Sequence, residues 1–180
     1  IRTIVVVGLG SIGIRHIHIL REQHPAIKII ALRHKKCCSL DEKELGLSGC
    51  VTSVIQALKF NPDVAIIANP ASKHLDIACK FANAGVHLLI EKPISDTVVG
   101  VQKLIDICQS KKIVLMTAYN LRFQPSLKAF REKIQNNKVG KPLLVRAEVG
   151  QYLPSWHPHS DYRKGVSAQK KLGGGVLLEL

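Results

Sequence analysis

The sequence predicts an α/β fold in which a doubly wound parallel sheet fills residues 1–118 and a second unit of different texture occupies 119–180. Three observations predict it. Short, nearly continuous apolar runs recur at 3–7, 27–32, 64–68, 87–90 and 113–117, the pattern of strands buried on both faces. Stretches of helical periodicity separate them, so the order is strand, helix, strand. After Tyr119 the texture turns to alternation, with Val145, Ala147 and Val149 on one side and Arg146 and Glu148 on the other. That is the mark of a half-solvated strand, expected over 142–152 in an antiparallel setting.

The first run, TIVVV, ends at Gly8, and residues 11–23 read as a helix with Ile12, His16, Ile19 and Gln23 along one face until Pro25 stops it. The run at 27–32 completes a βαβ spacing and leads into the basic stretch RHKK at 33–36. Residues 41–45 and 54–59 read as short helices. VAIIA at 64–68 ends at Asn69 and Pro70. Ser72 is placed to cap a helix whose apolar face is Leu75, Ala78, Cys79 and Ala82, with Gly85 just past its end. Residues 97–110 form a further helix facing inward with Val101, Leu104, Ile105 and Cys108, and 125–135 another.

At 180 residues the chain is long enough for one domain and part of a second. It begins without Met and stops at Leu180 inside an apolar run, which points to a fragment. No apolar run approaches the roughly 20 residues that span a bilayer, and the start lacks the layout of a secretory signal, so a soluble, cytoplasmic protein without a membrane partner is expected. The five cysteines, Cys37, Cys38, Cys50, Cys79 and Cys108, are odd in number and lack C-x-x-C spacing. They read as reduced thiols, and no metal site is expected. The net charge of +13 raises the question of nucleic acid. The excess lies near the two ends, no helix carries a solid basic stripe, and aromatics make up only 4%, too few for base stacking. Solvated faces and pockets for anionic ligands are the expected use of the charge, with no nucleic-acid partner.

Gly8, Gly10 and Gly13 sit where the first strand turns into the first helix. In a βαβ unit the first such glycine permits the tight turn, the second lets the backbone approach a pyrophosphate, and the third lets helix and strand pack closely. The helix N-terminus adds oriented N–H groups, so dinucleotide binding is the expected function of the turn. Folds of this kind often carry an acid about 20 residues on, for the ribose 2′-OH. Here Arg33 and His34 stand in that place. Two readings remain open: a positive pocket for a 2′-phosphate, which favours NADP over NAD, and a solvent-facing basic loop. A second signal is IEKPIS at 90–95, where a buried strand ends in Glu91 and Lys92. Ligands of open α/β sheets gather at the carboxyl ends of strands, although by spacing alone a surface ion pair is the commoner use of such neighbours.

GLGSIGIRH at 8–16, NPASKHLDIACKFANAGVHLLIEKPIS at 69–95, YNLRFQPSL at 119–127 and KKLGGGVLLEL at 170–180 follow one another as in the Gfo/Idh/MocA oxidoreductases. The chain resembles that family over nearly its whole length. The resemblance implies an N-terminal Rossmann domain, then the start of an α+β domain with an open, mostly antiparallel sheet that carries the substrate site and often an oligomer contact. It implies hydride transfer between NADP or NAD and a small sugar, nucleotide-sugar or cyclitol, in a homo-oligomer such as a dimer or tetramer. Gly8, Gly10, Ser11, Ile12 and Gly13 then line the pyrophosphate. Asn69, Pro70 and His74 match the element near the nicotinamide, Glu91 and Lys92 the E-K-P motif, and Asn120 and Arg122 the N-x-R-F element at the domain junction; by this resemblance Glu91, Asn120 and Arg122 join the cofactor-binding set. Lys92 carries the catalytic expectation, since an ammonium stabilises an alkoxide-like oxygen during hydride transfer. Glu179 falls near the family's substrate-facing aspartate but is a Glu. The rival function is a non-catalytic dinucleotide sensor or accessory protein, which keeps the glycines without needing Lys92. His157 and His159 read as part of a loop over the site, and His16 and His18, two apart on a helix, cannot chelate together.

Overall fold

The computed structural model describes residues 1–34, 43–156 and 161–179. Its elements are β1 (Thr3–Val7), α1 (Ser11–Gln23), β2 (Lys28–Leu32), β3 (Gly49–Val51), α2 (Val54–Leu58), β4 (Val64–Ile67), α3 (His74–Asn83), β5 (His87–Ile90), α4 (Val101–Ser110), β6 (Leu115–Thr117), α5 (Pro125–Gln135), α6 (Leu153–Trp156) and α7 (Val176–Glu179). Short 3-10 turns lie at Ala71–Lys73 and Asn120–Phe123, with three more between 162 and 172. The six strands form one sheet in the order β3-β2-β1-β4-β5-β6, every pair parallel. Crossing outward from β1 in both directions is the Rossmann arrangement, and it leaves a crevice at the β1/β4 switch point.

The strands' two-residue period divides the core. Val5, Val7, Ile30, Leu32, Ala65, Ile67, Leu88 and Ile90 face one layer, where Ala78, Phe81 and Ala82 of α3 and Leu104 and Cys108 of α4 cover them. Ile4, Val6, Ile29 and Ile66 face the other, against Ile17 of α1. The sheet is therefore covered on both sides, as an all-parallel sheet must be. Asp63 ties its lower edge together: its carboxylate accepts from the main-chain N–H of Arg2 at 2.6 Å and of Thr3 at 3.0 Å. Those two bonds hold its carboxyl below the usual aspartate range. Burial pushes the thiols of Cys79 and Cys108 up.

Several elements differ from the sequence-based expectation. β3 is a three-residue edge strand that no apolar run announced. α4 starts at Val101, not 97, because the Ser95 hydroxyl takes the N–H of Thr97 and the Thr97 hydroxyl that of Val99. Such local side-chain bonds compete with helix formation, and Gly100, in the left-handed region at φ +88°, makes the entry. Ser72 is not a cap; α3 begins at His74 with no side-chain cap. α1 buries Gly13 and Ile17, one position round from the expected face. Part of 41–45 lies outside the described residues. Cys50 is disulfide-bonded, so the expectation of reduced thiols fails there, while Cys79 and Cys108 are free. The strand expected over 142–152 does not form: these residues have no regular secondary structure, and all are exposed. A strand needs a neighbour to bond to, and every strand of the sheet belongs to residues 3–117. Among the described residues no helix is long and apolar enough to cross a membrane.

Candidate active site

A row of main-chain hydrogen bonds carries each strand's carboxyl end into its loop. The amide of Gly8 donates to Leu32 O (2.8 Å), that of Ala68 to Val7 O (2.9 Å), that of Glu91 to Ile67 O (2.9 Å) and that of Ala118 to Ile90 O (2.8 Å). The loops at 8–10, 33–34, 68–73, 91–100 and 118–124 consequently open on one edge of the sheet. That is the edge where open α/β sheets hold ligands.

The three glycines are required for three different reasons. Gly8 lies at φ +92°, and a Cβ there would come within 2.8 Å of Ala68 O. Gly13 packs so closely under the turn that a Cβ would run into the Gly8 carbonyl. Gly10 is the reverse case. A Cβ on it would meet nothing within 4 Å, so the backbone there borders open space. Gly10 is also the N-cap of α1, which has no side-chain cap and no acidic residue in its first turn. The first intrahelical bond runs from the amide of Ile14 to Gly10 O. The N–H groups of Ser11, Ile12 and Gly13 thus start the helix at a bare, positive dipole end, which fits an anionic diphosphate. Arg33 follows β2 at the same edge, its amide bonded to Val51 O at 3.1 Å; His34 is exposed, and Lys35 and Lys36 lie outside the described residues.

Around β4 and β5 the expected residues divide. The Asn69 side-chain oxygen and the Ser72 hydroxyl are buried with no hydrogen-bond partner among the described residues, so both remain available to a ligand group. Pro70 is half-buried between them. His74 faces inward instead: it is 1% exposed, with Nδ1 at 2.9 Å from Pro93 O and Nε2 at 2.7 Å from Asn69 O. Glu91 likewise points into the protein, against His16 of α1, Oε1 to Nε2 at 2.6 Å. Lys92 is the exposed member of the motif.

The later residues contribute less. Asn120 and Arg122 lie in the turn Asn120–Phe123 and are exposed. Glu179 ends α7. The triple glycine returns to the sheet edge: Gly173, at φ +83°, is seated so that a Cβ would lie 2.8 Å from Ala71 Cβ and 3.1 Å from Asp96 Cβ. His157 and His159 fall outside the described residues. The contact missed from sequence is His16 with Glu91. Its one signal was a histidine three positions after Gly13, on a helix otherwise packed by aliphatics.

Comparison with known proteins bears on this edge. Residues 2–119 match a family model described as "Oxidoreductase family, NAD-binding Rossmann fold". The chain is 27% identical over 178 residues to the myo-inositol 2-dehydrogenase of Thermotoga maritima, covering 97% of this chain and 50% of that protein. It is 28% identical over 156 residues to the levoglucosan dehydrogenase of Pseudarthrobacter phenanthrenivorans, covering 86% of this chain and 39% of that one. It therefore spans half or less of these relatives. Among solved structures, scyllo-inositol dehydrogenase from Lactobacillus casei with NAD(H) and scyllo-inositol superposes with a TM-score of 0.71 at 23% identity, over 78% of this chain and 42% of that one. At that identity the likeness speaks for the fold.

Proposed function

Because the chain belongs to the Gfo/Idh/MocA oxidoreductase family, we propose that its protein transfers a hydride between a nicotinamide dinucleotide and a hydroxyl-bearing carbon of a small sugar, nucleotide-sugar or cyclitol. One observation carries the proposal: the bare N-terminus of α1, with open space over Gly10, shares a sheet edge with the loop that bears Lys92. In this reading residues 1–118 are the dinucleotide domain, and 119–180 begin a substrate domain that also makes the contact of a homo-oligomer. Gly8, Gly10 and Gly13 shape the turn, while the N–H groups of Ser11 and Ile12 hold the diphosphate. Arg33 and His34 meet the adenosine ribose. Asn69, through a side-chain oxygen with no partner among the described residues, and Pro70 border the nicotinamide, Asn120 and Arg122 flank the junction between domains, and Glu179 is assigned to the substrate domain by its motif.

Bound nicotinamide supplies the hydride acceptor or donor. Lys92 does the charge work of the protein: its ammonium donates to the reacting oxygen and favours the alkoxide-like form, an effect that grows as water leaves the crevice. Names of relatives support the substrate class, since they include dehydrogenases of inositol and levoglucosan. The test is reduction of NAD and NADP by the natural full-length protein with a panel of cyclitols and sugars. Turnover of at least one polyol is expected. Tight dinucleotide binding with no turnover across the panel would replace the enzyme with a sensor.

A further inference from the structure

We infer that His16 is a positioning residue, acting through Glu91 to fix the peptide that carries Lys92. The inference rests on the reading of Lys92 given above. An ionised carboxylate only accepts hydrogen bonds, so the imidazole Nε2 of His16 donates to Glu91 Oε1 across 2.6 Å. The two side chains are only 19% and 13% exposed, which sets this pair apart from a surface ion pair that salt and water weaken. The other carboxylate oxygen, Oε2, accepts from the main-chain N–H of Lys92 itself at 3.3 Å. Each oxygen of Glu91 thus has a partner within the chain, the first half-buried and the second exposed. One reaches the helix of the glycine turn and the other the residue proposed to do chemistry.

The chain meets a second support two residues on, at Pro93. The Pro93 carbonyl faces Nδ1 of His74, and the other ring nitrogen of that buried histidine faces Asn69 O, so one of the two carbonyls is bonded in either neutral tautomer. With the proton on Nδ1, His74 holds the Pro93 carbonyl and residues 91–93 are clamped between α1 and α3; the one side chain left exposed between the clamps is that of Lys92. A lysine stem has four rotatable bonds; anchoring its Cα removes the part of the search that the backbone would add. Because α1 also presents the amides proposed to hold the diphosphate, cofactor seat and lysine share one rigid support. This assigns Glu91 a place behind the cofactor site, not in it.

The test uses the natural full-length protein and the variants His16→Ala, His16→Gln, Glu91→Ala and the double alanine, with His18→Ala on the exposed face of α1 as control. In His16→Ala, amide exchange over 91–95 rises and kcat falls roughly 10- to 100-fold, as for an ångström-scale misplacement, while the dinucleotide Kd holds. His16→Gln, which returns a donor near the Nε2 position, recovers much of the rate and carries the test if the alanine variant fails to fold. The double variant is no worse than the poorer single one, since both remove the same link. Unchanged exchange over 91–95 in His16→Ala, or losses that multiply in the double variant, overturns the inference. Exchange needs no substrate, so it decides the clamp even where the wild type turns over no polyol, a result that refutes the functional reading alone.

Discussion

Gly10 and Gly13 lie three residues apart in one motif, yet the structure assigns their substitution opposite consequences. In Gly13→Ala the new methyl runs into the carbonyl of Gly8, a backbone atom that cannot swing aside. Helix α1 must back off by about 1 Å, and overpacking of this kind costs about 1–3 kcal/mol. Against it stands the helix preference for alanine over glycine, about 0.5–1 kcal/mol. With a backbone oxygen inside the contact radius of the new methyl, the upper half of that cost applies, about 2–3 kcal/mol, leaving a net loss of about 1–2.5 kcal/mol that lowers Tm by roughly 2–10 °C for a chain of this size. In Gly10→Ala the methyl enters open space, and the fold loses less than about 1 kcal/mol at the cap. The same methyl occupies the approach of the diphosphate. Displacing one charge-assisted bond worth about 1.5–3 kcal/mol weakens dinucleotide binding roughly 10- to 100-fold. Thermal melts and NADH fluorescence titrations of both variants decide the matter. A Gly13→Ala protein that melts with the wild type, or a Gly10→Ala protein that binds NADH as tightly, refutes the reasoning.

Lys92→Ala is expected to lower kcat roughly 100-fold or more with dinucleotide affinity retained; near-normal kcat removes the lysine from the chemistry. If Arg33 meets the adenosine ribose as proposed, one or two charge-assisted bonds to a 2′-phosphate should favour NADP by about tenfold to several hundredfold. Arg33→Asp should reverse that ratio, and equal or tighter NADH binding by the wild type sinks the idea. The Asp63 carboxyl is held low by the amides of Arg2 and Thr3. Its stabilisation is complete above the unfolded-state value and lost as pH falls through the lower folded one. Asp63→Asn should therefore lower the urea midpoint at neutral pH and do little in acid, and an equal deficit at both is the contrary result. Burial raises the thiols of Cys79 and Cys108, so both should react with iodoacetamide more slowly in the native protein than in urea; matched rates would contradict the packing.

What was legible in the sequence is what rests on local pattern and a large apolar residue count. TIVVV, VAIIA and HLLI became β1, β4 and β5 because buried parallel strands need side chains apolar on both faces. Helices α1 and α5 came out at the expected limits, since Pro25 lies just past one and Pro125 opens the other. The glycines were legible for a different reason: each spacing reflects one steric need, and the three needs reappear as three different surroundings for an added Cβ.

The remainder was illegible because it depends on partners distant in sequence. β3 is a strand by virtue of Ile30, Ala31 and Leu32 beside it, and three residues are too few to announce a period. The reverse holds for 142–152: the alternation is there, but with no adjacent strand among the described residues its amides gain nothing from extension beyond what water offers. Glu91 shows the same limit at the site. Motif matching put it next to the cofactor, because a motif records which residues recur and not which way they point. The sheet turns it toward a histidine 75 positions away, and the carboxylate that looked like a ligand contact becomes a link between helix and lysine. Where a half-buried carboxylate beside a reactive residue has one oxygen on a distant helix and the other on its neighbour's amide, orienting that neighbour is the role its bonds support.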